Sequence, residues 1–285
     1  MSTEPGRSRG VLVVGMHRSG TSAVARVLNL LGLPLCDASD LMPHVNGNPT
    51  GHWESMTLMG LNERLLAELG AQWNSVPEID GPVAPWHGLA RHAAEARSTF
   101  LRLHPTATWV WKDPRLCVLL PFWRTVLACD PPVVLVLRHP LEVSASLAKR
   151  DGVPQWQTLL LWERSVRHAL LGCAGAPLYV VRYPELLADP VGTSHRLASF
   201  IQAAGLPVRP NDDAVLGFLD PRLRHTVIQP YETAALSDSQ ELRVADDVKR
   251  RSGAAEQRVA PAALPQQQGL PLRHPVAFGE RGGDF

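Results

Sequence analysis

Apolar residues fall along this chain in two alternating rhythms. Val11-Leu12-Val13-Val14 and Val133-Val134-Leu135-Val136-Leu137 are short, unbroken aliphatic runs, the pattern of strands buried on both faces. Trp109-Val110-Trp111 and the run at 178–181 read as two further strands. Between them lie segments of helical period. Val24, Val27, Leu28 and Leu31 share one face and Gly32 stops the run, which predicts a helix over 21–31. The same reasoning predicts helices over 58–69 (ended by Gly70), 86–103, 116–127, 140–149, 156–171 and 191–204, with Pro140 suited to a first helical turn. Strands alternating with helices require parallel crossovers, so the expected fold is α/β, three-layered, with a central parallel sheet. Ligands of such sheets bind at the carboxyl ends of the strands.

Composition divides the chain. From about Glu232 onward the apolar periodicity fades into a stretch rich in Ala, Gln, Pro, Gly and Arg. Residues 1–230 are therefore expected to form the α/β domain and 231–285 a flexible low-complexity tail; the first ten residues read like the tail. With 45% hydrophobic residues the chain has enough for a core, which excludes wholesale disorder. Lys and Arg number 28 against 27 Asp and Glu, and a net charge of +1 gives no global field to draw nucleic acid or an anionic membrane. No run approaches the roughly 18 apolar residues of a membrane span, and MSTEPGRSRG lacks the apolar core of a signal peptide. The expected compartment is the cytoplasm. Cys36, Cys117, Cys129 and Cys173 form no CxxC pair and no zinc spacing, so they read as reduced, small buried hydrophobes, and no metal is expected.

The strongest local signal lies between the first strand and the first helix. Gly15-Met-His-Arg18-Ser19-Gly20-Thr21-Ser22 has the Gly-x4-Gly frame of a P-loop, in which small residues let backbone N–H groups approach phosphate oxygens at a helix N-terminus. The P-loop lysine is missing, with Thr21 in its place; the cation has moved into the loop as Arg18, which can clamp an anion through two parallel hydrogen bonds. The plainer reading is a strand-to-helix turn capped by Ser19 or Thr21.

This stretch resembles the sulfotransferase superfamily, whose members use 3′-phosphoadenosine 5′-phosphosulfate (PAPS) and cradle its 5′-phosphosulfate in a basic residue followed by Ser-Gly-Thr. The match is residues 17–22, with Arg18 where cytosolic small-molecule members usually carry Lys, as in the tyrosylprotein and bacterial carbohydrate or lipid branches. In the family an Arg ending a strand and a Ser eight residues on bind the 3′-phosphate, and Arg138 and Ser146 have that spacing. Tyr183-Pro184-Glu185-Leu186 resembles a segment whose Tyr approaches the adenine, with Pro184 replacing an acidic residue; a buried tyrosine with a satisfied hydroxyl is the other reading. The Arg-Lys-Gly-x-x-Gly loop of the cytosolic branch is absent, and Arg222, Arg224 and His225 read either as its replacement or, more simply, as exposed loop charges. The resemblance covers roughly 11–205 and implies a P-loop-like fold.

It also implies sulfuryl transfer from PAPS to a hydroxyl, or an amine, of a carbohydrate, lipid or small-molecule acceptor. Such transfer needs a base for the acceptor and a cation at the bridging oxygen. Glu54, in the Gly/Pro-rich loop after the first helix, is the candidate base and His52 the runner-up; Glu54 can also serve only to start the next helix through its charge. Lys112, in Lys112-Asp113-Pro114, reads as the cation beside Arg18, or else as half of a surface pair, with Asp113 holding the turn or orienting Lys112. Trp53, Trp73 and Trp86 are acceptor-stacking residues or simple core. Arg18, Lys112, Arg138 and Arg182 all fall at expected strand ends, where their convergence would make a polyanion pocket. Two alternatives remain open: a P-loop kinase-like phosphotransferase, which shares the glycine frame but not the lysine, and a non-catalytic nucleotide-binding protein.

Overall fold

The computed structural model describes residues 9–43, 51–76 and 86–220. The tail at 231–285, Gly47 to Thr50 of the loop, Arg222, Arg224 and His225 lie outside the described residues. Four strands, β1 (Arg9–Val14), β2 (Thr108–Lys112), β3 (Val133–Leu137) and β4 (Leu178–Arg182), form a sheet of order β2-β1-β3-β4. Every pairing is parallel; Val13 lies opposite Lys112 and Val134, and Leu137 opposite Arg182. The carboxyl ends of all four strands therefore share one edge of the sheet.

The sheet is covered on both faces, as the unbroken apolar runs require. Alternate residues divide between two cores. Leu12, Val14, Trp109, Trp111, Val133 and Leu135 belong to one, and Val11, Val13, Val110, Val134, Val136 and Val181 to the other. The first core is closed by α2 (Met56–Glu68), α3 (Ala93–Leu103), α4 (Leu116–Leu127), α5 (Pro140–Asp151) and α6 (Gln155–Gly172). The second is closed by α1 (Thr21–Leu30), α7 (Tyr183–Ala188), α8 (Pro190–Ala203) and α9 (Asp212–Phe218). The result is the three-layer α/β architecture with a parallel sheet.

Three details depart from the expected elements. The segment expected as one helix over 86–103 is a 3₁₀ segment, Trp86–His92, followed by α3. Its Gly88 disfavours an α-turn, and the Trp86 indole donates to Val118 O at 2.9 Å. α7 and α9 are too short for an apolar period to show. Both carry local start signals: Pro184 in the first turn of α7, and Asn211, which accepts from Ala214 N at 3.3 Å with Asp212 and Asp213 behind it, for α9. Cys117 and Cys173 are buried, Cys36 and Cys129 half-buried, and all four are free thiols.

One titratable ring is buried against the first core. His104 stacks on Phe100 with ring centroids 4.3 Å apart, and its Nδ1 lies 3.2 Å from Phe100 O. A carbonyl can only accept, so Nδ1 carries the proton. Burial brings the His104 pKa from 6.5 down to about 4, against a smaller upward pull from the Phe100 carbonyl and Asp40. The folded protein therefore holds the ring neutral while the unfolded chain takes up a proton below pH 6.5. His104 contributes stability that is present above pH 6.5 and lost as pH falls to about 4. The full effect is about 3 kcal/mol at ~1.4 kcal/mol per pH unit. Denaturant melts between pH 6.5 and 4 should show a shallower stability loss for His104→Phe than for the parent chain.

Candidate functional site

β1 runs directly into the glycine-framed turn. Gly15 has φ 152°, and a Cβ there would stand 2.5 Å from Val136 O, so a side chain would block the passage of the turn over β3. Arg18 takes a left-handed backbone (φ 68°), as does Gly20 (φ 95°). A Cβ on Gly20 would meet the Tyr183 ring at 2.1 Å. Gly20 is itself the N-cap residue of α1, with no side-chain cap. The capping role expected for Ser19 or Thr21 is thus not what holds the helix start. The first N–H groups of α1 lack intrahelical partners and carry the positive end of the helix dipole, an arrangement that attracts anions. Ser19 and Thr21 are buried and Ser22 is half-buried. Ser19 Oγ and His17 Nε2 are buried atoms with no hydrogen-bond partner among the described residues.

The second motif meets the first. The Arg18 Nε donates to Ser146 Oγ at 2.8 Å, and the Arg138 guanidinium donates to Arg18 O at 3.3 Å. Arg138 is 8% exposed, paired with the buried Glu142 at 2.8 Å, and lies 5.3 Å from the Tyr183 ring centre. Its own carbonyl accepts from the Trp162 indole at 3.1 Å. Tyr183 is buried between the turn and this guanidinium. Burial, and then the neighbouring Arg150 and Arg138, lower the Arg18 pKa; a guanidinium remains charged at neutral pH regardless.

A second cluster sits at the end of β2. Lys112 is 2% exposed and donates to Glu54 Oε1; the Arg115 guanidinium stands 3.6 Å from Glu54 Oε2. The alternative reading of Lys112, half of a surface pair with Asp113, does not hold, since both residues are buried. The oxygens of Asp113 instead take the Arg115 backbone N–H at 2.9 Å, the Arg115 guanidinium at 3.0 Å and the Asn62 amide at 2.9 Å. Asp113 thus holds the turn. Burial raises its pKa, partly opposed by Arg115. The other reading of Glu54, as a helix starter, also gives way. Ser55 caps α2, accepting from Leu58 N at 3.0 Å, and Asp40 takes the Ser55 hydroxyl, which frees Glu54 to turn inward.

His17 joins the two clusters. Its pKa lies well below the usual histidine value through burial first, then Arg115, Arg150, Lys112 and His52. Its ring meets Trp73 edge-on at 5.2 Å, and Arg150 stands 5.7 Å from the Trp73 ring centre. Trp73 therefore borders the site while also packing, like Trp86, against the first core, and Trp53 packs against Arg26 of α1 at 4.6 Å. Arg182, expected to converge with the other cations, pairs with Glu185 at 3.1 Å with 41% of its side chain exposed. Sequence reasoning missed Arg115 and His17. The signal for Arg115 was its place directly after Lys112-Asp113-Pro114, and for His17 its place inside the glycine frame.

The described residues thus form a three-layer α/β domain with a glycine-framed turn and buried cations at its strand ends. The chain belongs to the sulfotransferase family, whose sequence model matches residues 10–208. Among solved structures it resembles a sulfotransferase domain from the Synechococcus PCC 7002 olefin synthase, at 17% identity and a TM-score of 0.52, over 87% of this chain and 97% of that one. A sulfotransferase domain from the curacin biosynthetic pathway matches at 17% identity and a TM-score of 0.46, over 87% and 99% of the two chains. The first is a likeness of fold, and the second is too distant to carry an argument. No curated protein matches the chain. Among the described residues no helix is long and apolar enough to cross a membrane.

The close approach of Gly20 to Tyr183 makes a direct test. Gly20→Ala should destabilise the fold by about 1–3 kcal/mol through its left-handed backbone and the ring contact. In urea melts the double variant with Tyr183→Ala should retain more stability than the sum of the two single losses, because the clash is shared.

Proposed function

We propose that this chain transfers a sulfuryl group from PAPS to a hydroxyl, or an amine, of a carbohydrate, lipid or small-molecule acceptor, releasing 3′-phosphoadenosine 5′-phosphate. The observation that supports the reading is the hydrogen bond from Arg18 to Ser146, which brings the two motifs together. A donor with a 5′-phosphosulfate and a 3′-phosphate needs two such clusters of donors side by side. In this reading Arg18, Ser19, Gly20, Thr21 and Ser22 hold the 5′ end and Arg138 and Ser146 the 3′-phosphate. Tyr183 borders the nucleotide. The buried hydroxyl of Ser19, without a partner among the described residues, suits a phosphate oxygen. The segment to which the reaction is assigned is 1–230, and the compartment is the cytoplasm.

Glu54 is the base and Lys112, with Arg18, the cation at the bridging oxygen. The acceptor oxygen attacks sulfur, its proton passes to Glu54, and the bond from sulfur to the bridging oxygen breaks with its electron pair left on the phosphate. Positioning and preorganised charge supply most of the rate, as in phosphoryl transfer.

Two measurements test this. Adenosine 3′,5′-bisphosphate at about 100 times its Kd should stabilise the chain by ~2.7 kcal/mol in thermal melts, and ATP with magnesium should not. No stabilisation, or stabilisation by ATP–magnesium alone, refutes the donor assignment. Glu54→Gln should bind the bisphosphate normally yet lower kcat by about 10²–10⁴-fold in an assay with labelled PAPS. Unchanged turnover removes Glu54 from the chemistry.

A further inference from the structure

Glu54 carries two cations on one buried carboxylate. Lys112 occupies Oε1, and Arg115 approaches Oε2 at 3.6 Å. The two cations are held very differently. Among the described residues, the ammonium of Lys112 is paired with Glu54 alone, at the end of a flexible stem. The Arg115 guanidinium is tied to Asp113 at 3.0 Å and to Glu63 at 2.5 Å as well, and its backbone N–H donates to Asp113 at 2.9 Å. Asp113 is in turn held by Asn62, which accepts from the Trp123 indole at 2.7 Å. A chain of buried hydrogen bonds from the core thus ends at Arg115.

We propose that Arg115 is a positioning residue that keeps the Glu54 carboxylate aligned when Lys112 leaves it for the transferring sulfuryl group. The inference rests on the roles given above to Glu54 and Lys112 and deepens them. As the Lys112 ammonium shifts toward the bridging oxygen of the donor, its hold on Oε1 of Glu54 weakens. When it turns to the donor, Oε1 is exposed to the acceptor proton. The remaining hold on the carboxylate is then Arg115, which its acidic partners prevent from following the donor. Acceptor oxygen bonds to sulfur, the acceptor proton goes to Glu54 Oε1, and the electron pair of the broken bond stays on the phosphate oxygen beside Lys112. Glu54 later returns the proton to solvent.

The test uses the full chain with labelled PAPS and an accepted acceptor, and measures kcat, both KM values and bisphosphate affinity. Arg115→Lys keeps the charge and loses the fork. It should lower kcat by about 10²-fold, the scale of a displaced reacting group, with both KM values and bisphosphate affinity within about threefold of the parent. Glu63→Gln, which loosens the anchor and spares the guanidinium, should lower kcat about tenfold in the same pattern. Guanidinium ion should restore part of kcat to Arg115→Ala. A loss of bisphosphate affinity in Arg115→Lys would make Arg115 a donor-binding residue and overturn the proposal, as would an unchanged kcat. If Arg115→Lys does not fold, the kcat and affinity of Glu63→Gln decide. The two readings fail separately. An active Arg115→Lys beside an inactive Glu54→Gln sinks the positioning role alone, whereas a fully active Glu54→Gln, or a parent chain that transfers nothing, sinks both.

Discussion

Lys112 ends β2 with 2% of its surface exposed, and an ammonium taken out of water to that degree costs several kcal/mol unless an anion meets it. Much of the architecture around the strand ends follows from that requirement. Glu54 supplies the anion, and the loop that brings it in is bent to do so. Gly51 has φ 94° and Trp53 has φ 57°. A bulky residue in the left-handed region is costly, and here Arg26 on the face of the indole at 4.6 Å offsets part of that cost. Ser55 and Asp40 then start α2 without using Glu54. Once two buried acids, Glu54 and Asp113, lie together, a second cation is needed, and Arg115 at the start of α4 provides it. One buried charge thus fixes a loop, two helix starts and the register between them.

The other cluster obeys the same rule with different partners. Arg138 ends beyond β3 almost as deeply buried and is balanced by Glu142 one helical turn on. This pairing holds the guanidinium still, so that its second arm reaches the carbonyl of Arg18. The left-handed backbone of Arg18 is therefore supported from both ends of the residue, at its carbonyl by Arg138 and at its side chain by Ser146. Tyr183 packs where Gly20 has no side chain, and closes the turn from the β4 side. Three strand ends are locked into one surface by contacts that no single motif contains.

How much of this the sequence reveals depends on how local the cause is. The strand at 133–137 and the helix at 116–127 coincide with the observed elements because a strand covered on both faces and a long apolar helix face write themselves as unbroken or periodic apolar residues. The glycine frame was legible because it is a demand of the backbone at 15 and 20, independent of distant partners. The role of Arg115 was not. An arginine at a helix start reads as a surface charge, and only the folded chain brings Glu54 and Glu63 to it. Arg182 is the reverse case: its place at a strand end suggested convergence, but a nearby glutamate three residues on claims it at the surface.

A chain of net charge +1 can still concentrate cations, provided that the acids among them are placed with unequal grip. At the end of β2 they are: Arg115 is shared among Asp113, Glu63 and Glu54, while Lys112, among the described residues, answers to Glu54 alone. Burial first, and then these same cations, lower the pKa of His17. An arriving polyanion would have to compete for cations already paired, and the weakest claim is the one on Lys112. Buried pairs are poor sources of net stability, because desolvation cancels most of the attraction. Under the proposed mechanism, their value at this sheet edge is that Lys112 passes from one anion to another without being left unpaired.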